Sequence, residues 1–228
     1  IGSPYENYEL KISNIFYGWG LFEDNISQNR FYKSKNKKIT KSNKIYWIGR
    51  DGLKSFVGTK SHSFNSMNDH LKEVSHISFF SEKFNNYNIE FRKHPRNGND
   101  IYNSIQLFSK ENNCDKDIKT DDLIQNCKLV IFDCLSQTLL YECIYFKIPF
   151  LILLNKFPLD GLSENAITFY RLLKNNNILV TMDDCMINDS SLDFIRAYLN
   201  GNQKVFFNNE VLTYFEQNFI LKKTIRDL

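Results

Sequence analysis

The sequence lacks any strong excess of one charge. Its 228 residues include 29 Lys and Arg against 26 Asp and Glu, which gives a formal net charge of +3. A protein that binds nucleic acid through its phosphates usually carries a much larger basic excess, so this balance excludes a nucleic-acid footprint. The one lysine-rich run, 33–44, holds six lysines and is typical of a solvated linker.

Paired cysteines and long apolar runs are missing too. The number of cysteines is odd, and no two stand in a Cys-x-x-Cys spacing: Cys114, Cys127, Cys134, Cys143 and Cys185. This pattern favours reduced, buried thiols in a cytosolic protein over a disulfide framework. The longest apolar run, around 148–154, is broken by Lys147, Pro149 and Asn155 and is far too short to span a bilayer.

A metal-ligand pattern is also lacking among the histidines. His70 and His76 are six residues apart within a predicted helix and so point to different faces, and His62 lies outside it. No Cys or carboxylate stands near them at ligand spacing. The sequence therefore predicts no metal site, and we expect these histidines to be at the surface or half-buried.

The sequence does contain segments with the apolar pattern of strands, and these alternate with segments that have the apolar pattern of helices. Fully apolar or alternating runs predict strands, and apolar steps of three or four predict helices. The predicted strands are 44–48, 88–93, 129–132, 150–154 and 178–181. The predicted helices are 66–84, 99–110, a short one ending near 127, 136–146, 163–174, one from 190 and one from 209.

Strands that alternate with helices predict an α/β fold with a doubly wound parallel sheet, whose helices lie on both faces. We divide the chain into three regions: a linker region 1–43 with an aromatic Gly-Trp-Gly loop, an α/β domain 44–208 that contains the sheet, and a C-terminal helix 209–228. Ligands of such sheets bind beyond the carboxyl ends of the strands. The residues just after each strand are therefore the candidate site.

A basic segment follows the strand 88–93. Pro95 restricts His94 to an extended conformation, and Arg96 stands just beyond it. Arginine binds phosphate through two hydrogen bonds and histidine donates a further one, so a phosphate or diphosphate is a suitable ligand. The alternative is a basic surface turn with a solvated histidine.

Hydroxyl side chains follow the strand 129–132, whose end we expect to be the neighbour of the end of the strand 88–93. Ser136 and Thr138 open the next helix, where free N–H groups and the helix dipole favour an anion. The alternative is ordinary capping by Ser136, which is compatible with anion binding. Glu142 lies one turn after Thr138 on the same helix face, and ribose hydroxyls or a nearby Lys or Arg would serve equally well as its partner.

These motifs resemble the donor-binding half of GT-B glycosyltransferases. Lys93-His94-Pro95 followed by a Ser/Thr motif, 133–142 (DCLSQTLLYE), is similar to a pairing in bacterial sialyltransferases, capsule Kdo transferases and CDP-glycerol transferases. The Thr-x-x-x-Glu pattern of Thr138 and Glu142, with Pro149 seven residues after the Glu, occurs more widely among GT-B enzymes. The segment 9–13 (ELKIS) with 18–20 (GWG) resembles O-antigen and surface-polysaccharide transferases, in which it joins the two halves.

The resemblance implies a Rossmann-like sheet, one half of a GT-B fold, and assigns roles to residues at the strand ends. It implies these donor-phosphate ligands: Arg50, His94, Arg96, Ser136 and Thr138. Glu142 would bind the ribose, and Lys54 would assist Arg50 at the leaving diphosphate. Two positions depart from the pattern: Leu135 stands where a Glu is common, and Lys147 where a Gly is frequent. The first argues against the retaining sugar-nucleotide subfamily.

The implied activity is transfer of a sugar from a nucleotide donor, CMP- or CDP-linked, to a glycan or lipid-linked acceptor of a surface polysaccharide. It needs no metal or other cofactor and would take place in the cytoplasm or at the inner face of the membrane. The first residue is Ile1, so we predict part of a longer chain. The catalytic base is expected in an N-terminal half, against which the helix 209–228 would pack, and the chain alone is expected to bind nucleotide weakly without turnover.

Two alternatives remain open at this point. The first keeps the fold and transfers a polyol phosphate from a CDP-activated donor. The second is a non-catalytic Rossmann-like module that binds a partner protein. Nucleotide binding separates both transferases from the interaction module.

Overall fold

Five parallel strands form the centre of the computed structural model, which describes residues 42–48, 67–92, 124, 126–133, 135, 139–154, 164–182, 187–202 and 206–219. The strands are β1 (Lys44–Ile48), β2 (Asn88–Arg92), β3 (Leu129–Phe132), β4 (Phe150–Leu154) and β5 (Leu179–Thr181). Their order in the sheet is β2-β1-β3-β4-β5, and every neighbouring pair is parallel. The predicted parallel α/β sheet is confirmed.

Strands β3 and β4 are apolar at every position because helices cover both faces of the sheet. All four residues of β3 and all five of β4 are buried, whereas β2, next to β1 alone in this sheet, alternates between buried and more exposed positions. A strand covered on both faces cannot place polar side chains on either without loss of hydration, which explains the absence of alternation.

The helices that connect the strands divide between the two faces. They are α1 (Met67–Lys83), α2 (Leu139–Tyr145) and α3 (Glu164–Asn175). The ring of Trp47 meets Phe80 of α1 at 6.0 Å and Phe91 of β2 at 6.0 Å, so α1 packs on the Trp47 face. In the sheet, β2 lies on one side of β1, whereas β3, β4 and β5 follow one another on the other side. Right-handed crossovers therefore place α2 and α3 on the opposite face.

Two further helices complete the described chain: α4 (Asp189–Leu199) and α5 (Asn209–Phe219). In α5, Val211 and Phe215 are buried, and Tyr214 stacks on Phe169 of α3 at 5.8 Å. These residues of α5 therefore pack on the chain's own core, and the expected contact of the helix 209–228 with an N-terminal half stays a prediction. Within the described residues, no helix has the length and hydropathy to cross a membrane.

Most predicted boundaries agree with the structure to within one residue. The exception is α2, which begins at Leu139 where the sequence predicts 136, but residues 136–138 lie outside the described ones. The predicted helix 99–110 and residues 1–41 of the linker region lie outside them as well, and of the short predicted helix that ends near 127 only Ile124, Asn126 and Cys127 are described. The expected exposure of His76 is wrong, because this residue of α1 is 3% exposed. The hydrophobic pattern of the helix does not reveal that a polar residue lies on its buried side.

Three helices end in the same hydrogen-bonding motif, in which a left-handed residue closes the last turn. After α2, Ile148 N donates to Cys143 O and Lys147 N to Ile144 O, and the φ of Lys147 is 56°. The same pair of bonds follows α3 at Asn177 (φ 57°) and α4 at Gly201 (φ 79°). Glycine is the preferred residue at this position. Lys147 therefore occupies a turn position whose geometry favours glycine.

Lys147→Gly should stabilise the chain. A left-handed backbone costs a non-glycine residue about 1–2 kcal/mol, and the entropy that glycine loses on folding offsets about 0.5–1 kcal/mol of that gain. We expect a net increase of about 0.5–1 kcal/mol, or roughly 1–4 °C in Tm. The control is Lys174→Gly, which places glycine within the last turn of α3 and should lower Tm. A decrease for both variants in thermal unfolding would contradict this explanation of the turn.

Candidate functional site

All five strands end at one edge of the sheet because they are parallel. The last residues of β1, β2 and β3 are level, since Ile48 is paired with both Arg92 and Phe132. Doubly wound sheets bind ligands outside this carboxyl edge, at the point where the strand order reverses. In this sheet the reversal lies between β1 and β3, so the ends of these two strands flank the expected crevice.

The opposite edge, where the strands begin, is covered by the chain itself. Helix α4 starts beside the turn before β5, where Ser191 Oγ donates to Asn177 Oδ1 at 3.1 Å. It ends near the start of β3 and of β2: Tyr198 OH donates to Lys128 O at 3.3 Å, and Tyr87 OH donates to Asn200 Oδ1 at 3.0 Å. The helix thus runs across the amino edge from the β5 side to the β2 side.

Aromatic packing closes the same amino edge further. Phe207 meets Phe150, the first residue of β4, at 5.5 Å, and Phe206 meets Tyr198 of α4 at 4.8 Å. Phe206 and Phe207 are both buried. Because these rings occupy the ends of the strands, the carboxyl edge is the edge that the described fold leaves for a ligand.

The predicted phosphate ligands all follow strand ends on the carboxyl edge, but their own positions lie outside the described residues: Arg50, His94, Arg96, Ser136 and Thr138. Their mutual distances therefore stay predictions. The structure does show which strand precedes each of them. Arg50 follows β1, His94 and Arg96 follow β2, and the two hydroxyl residues follow β3.

One expectation about this edge is wrong. The sequence suggests that the ends of β2 and β3 are neighbours, whereas β1 lies between them. At about 4.8 Å per strand, the two ends are roughly 10 Å apart. The sequence identifies segments that become strands but does not contain their order, because the order depends on the direction of each crossover. The strand before Arg50 thus lies in the middle of the three.

The segment after β3 is tethered to two helices by a chain of hydroxyl groups. Tyr170 OH of α3 donates to the carbonyl oxygen of Leu135 at 3.4 Å, and Tyr141 OH of α2 lies 3.3 Å from Tyr170 OH. Both tyrosines are 2% exposed. The side chain of Leu135 packs against the core.

Sequence reasoning did not identify these two tyrosines as part of the candidate site. A signal was present, since a tyrosine within an otherwise apolar helix must find a partner for its hydroxyl when it is buried. The pairing of Tyr141 with Tyr170 could not be predicted, because the two residues are 29 positions apart and come together only when α2 and α3 pack.

Glu142 lies on α2 between the buried residues Tyr141 and Cys143, and is itself half-buried. Its role as the ribose ligand stays a prediction. The adjacent thiol stays protonated near neutral pH, because burial raises the pKa of Cys143 well above its ordinary value, with smaller contributions from Cys127 and from the charge of Glu142. In the described part of the chain, no group of three or more His, Cys, Asp or Glu residues could hold a metal ion.

Cys127, at the amino end of β3, is buried as well. Its Sγ donates to Ile124 O at 3.0 Å, and burial raises the pKa of the thiol from 9.0 to about 12, against a smaller opposing effect of backbone hydrogen bonds. Both Cys127 and Cys143 are free thiols. The expectation of reduced, buried cysteines is thus confirmed for these two residues.

Cys127 and Cys143 should resist alkylation in the folded chain. Only the thiolate reacts, and at pH 8 a pKa of about 12 leaves Cys127 roughly 1000-fold less thiolate than a pKa of 9.0 does. We expect iodoacetamide to label both positions at least about 100-fold more slowly in the native chain than in denaturant, as measured by peptide mass mapping. Equal labelling rates in the two conditions would show that the thiols are accessible.

The same burial should make the chain less stable at alkaline pH. The folded Cys127 keeps its proton between about pH 9 and pH 12, whereas the unfolded thiol loses it, so the free energy of unfolding falls as pH rises through this window. Between pH 8 and pH 10 this group accounts for a loss of about 1.4 kcal/mol. Cys127→Ser keeps a donor for Ile124 O and should lose less stability over that interval in urea unfolding. Parallel pH profiles for the two proteins would contradict this assignment.

Comparison with known proteins identifies a protein family. The family model of the LIC12162 family transferases matches residues 2–182, which is most of the chain and includes all five strands. No curated protein and no solved structure shows significant similarity to the chain. The matched range also contains every residue that the sequence analysis placed at the carboxyl edge. By the extent of this match, the chain belongs to the LIC12162 family of transferases.

Proposed function

We propose that the chain binds a nucleotide-activated sugar at the carboxyl edge of its sheet, as the donor-binding part of a GT-B type glycosyltransferase. The observation that carries this proposal is the level ending of β1, β2 and β3 at one edge. Each of these strands is followed within six residues by side chains of types that can bind phosphate. Membership of a transferase family supports a group-transfer reaction there.

Chain length supports the convergence of these side chains. Residues span at most about 3.5 Å each. Arg50 is two residues beyond Ile48, and His94 two residues beyond Arg92, so the Cα atoms of both lie within about 7 Å of their strand ends. Ile48 and Arg92 are paired in the sheet. This spacing allows Arg50 and His94 to bind one diphosphate at the carboxyl edge, as proposed.

The chemistry of the proposed ligands fits a nucleotide that leaves during transfer. Arg50 and Arg96 would bind phosphate oxygens with charge-assisted hydrogen bonds, and His94 would add a donor. Ser136 and Thr138 would donate hydroxyl hydrogens from the β3 side. These groups would stabilise the negative charge that develops on the departing phosphate, without a metal ion. Glu142 would accept hydrogen bonds from the ribose hydroxyls.

The proposal extends to the partners of the reaction. The donor would be a CMP- or CDP-linked sugar, and the acceptor a glycan or lipid-linked glycan of a surface polysaccharide at the cytoplasmic face of the membrane. A CDP-activated polyol phosphate would use the same phosphate ligands, since Lys93-His94-Pro95 also resembles the motif of CDP-glycerol transferases. An interaction module would use none of them.

One nucleotide among CMP, CDP, UDP and GDP should stabilise the chain clearly. A ligand at ten times its Kd adds about 1.4 kcal/mol to the free energy of unfolding, which corresponds to roughly 3–6 °C in Tm for a chain of this length. Arg96→Ala should weaken that nucleotide about 10- to 100-fold because a charge-assisted hydrogen bond is lost. His94→Ala should weaken it less. Thermal shift and calorimetric titration measure both effects.

The matched control is Arg196→Ala. Arg196 is an exposed arginine in the last turn of α4, paired only loosely with Asp193 at 3.4 Å, and this helix lies at the amino edge. Its removal should leave nucleotide affinity unchanged. A wild-type chain that none of the four nucleotides stabilises would overturn the proposed function in favour of an interaction module. If the nucleotide still stabilises the Arg96→Ala and His94→Ala variants, the site does not include the residues after β2.

A further inference from the structure

The turn that ends α4 contains an Asn-Gly pair, Asn200–Gly201, whose side chain and backbone can react with each other. The sequence holds a second such pair, Asn97–Gly98, which lies outside the described residues. In these pairs the backbone nitrogen of the glycine can attack the side-chain carbonyl carbon of the asparagine, because glycine has no Cβ that obstructs the approach. Asn200 and Gly201 are both exposed, so water reaches the pair and it is a candidate site of modification.

The reaction is a deamidation, and water is its only co-reactant. The amide nitrogen of Gly201 loses its proton to solvent and forms a bond to Cγ of Asn200. The bond from Cγ to the side-chain nitrogen breaks, and this nitrogen takes a proton from solvent and leaves as ammonia. A cyclic succinimide remains. Water hydrolyses it at either of its carbonyl carbons, and the product at position 200 is aspartate or isoaspartate, in which the main chain runs through Cγ.

The folded turn keeps the reacting atoms apart. The ψ angle of Asn200 is −4°, so the nitrogen of Gly201 eclipses the backbone nitrogen of Asn200 and not its Cβ. Attack on Cγ requires a rotation about ψ that brings the nitrogen of Gly201 toward the side chain. Two hydrogen bonds that close the turn oppose this rotation: Gly201 N donates to Tyr198 O at 3.0 Å, and Asn202 N donates to Ala197 O at 2.9 Å. The end of α4 must therefore open before the pair can react.

A tyrosine from another part of the fold holds the side chain of Asn200. Tyr87, which lies between α1 and β2, donates its hydroxyl hydrogen to Asn200 Oδ1 at 3.0 Å. Tyr87 is itself anchored, because its backbone N donates to Phe84 O at 3.0 Å and the Nζ of Lys128 lies 5.3 Å from the centre of its ring. The Cγ of Asn200 cannot turn toward Gly201 without the loss of this bond.

We propose that Asn200 is a deamidation site that the amino edge of the sheet keeps inert: the closed turn of α4 and the hydroxyl of Tyr87 together hold its Cγ away from the nitrogen of Gly201. The reaction then proceeds only from states in which the end of α4 has opened, so its rate measures that local opening. Isoaspartate adds a carbon to the main chain within the turn, which prevents both closing bonds from forming again. The modification thus fixes the end of α4 in an open state, whatever the chain binds at its carboxyl edge.

The experiment follows deamidation of the chain at mildly alkaline pH, well below Tm and in urea, by peptide mass mapping that separates aspartate from isoaspartate. We expect Asn200 to react at least about 10-fold more slowly in the native chain than in urea, because the two closing bonds and the bond from Tyr87 must break first. In urea, where neither pair is held by the fold, Asn97 should react at a rate similar to that of Asn200. This second pair is the internal reference for the reactivity of the unfolded chain.

A pair of variants separates the role of Tyr87 from general stability. Tyr87→Phe keeps the ring that faces Lys128 and loses only the bond to Asn200, so native deamidation should become about 2- to 10-fold faster, the effect of one hydrogen bond. The matched control is Tyr170→Phe, which loses a hydroxyl that donates to Leu135 O at 3.4 Å, beyond the opposite edge of the sheet. It should leave the native rate at Asn200 unchanged. In urea both variants should react as fast as the wild type.

Several results would overturn the proposal. Equal rates at Asn200 in the native chain and in urea would show that the fold does not protect the pair. An unchanged native rate in Tyr87→Phe, or equal acceleration in Tyr87→Phe and Tyr170→Phe, would show that the bond from Tyr87 does not control the reaction. If Asn97 reacts in urea while Asn200 stays intact, Asn200 is not a deamidation site at all.

Discussion

Parallel pairing of β1 with β2 on one side and β3 on the other is the constraint on which the candidate site depends. Because the three strands run in one direction and end level at Ile48, Arg92 and Phe132, the segments that follow them must leave from one edge. An antiparallel partner would send one of these segments to the amino edge, where α4 and the aromatic rings lie. The proposed transferase site depends on this shared edge, because the strand-end residues can form one site only if they leave the sheet from the same side.

The amino edge shows how the fold directs a ligand to the other side. Asparagine side chains cap the helices there: Asn188 Oδ1 accepts from Ser191 N at 2.8 Å, and Asn208 Oδ1 accepts from Val211 N at 2.9 Å. The turn before β5 joins both caps, through Asn177 to Ser191 and through Asn176 to Asn208. Polar groups at this edge satisfy one another, and Phe206 and Phe207 fill the space between them.

Much of the architecture could be predicted because the periods of the sequence agree with it. The strands β3 and β4 read as unbroken apolar runs, and α1 shows apolar steps of three and four, so their bounds follow within a residue. The strand order, and hence the position of β1 between β2 and β3, could not be predicted. The burial of His76 and the bond of Tyr170 to Leu135 were also invisible, since each depends on residues far away in the chain.

By itself, the sequence determined the elements, the apolar faces and the residues that stand just after each strand, because hydrophobic period and strand-end position are local properties. The tertiary structure alone decided which strand ends are neighbours, that the left-handed turn after α2 is built on Lys147, and that Tyr141 and Tyr170 meet beneath the segment after β3. These features arise from crossovers and from the packing of helices against one another. The contacts that stabilise these features join residues far apart in the sequence, so no local pattern predicts them.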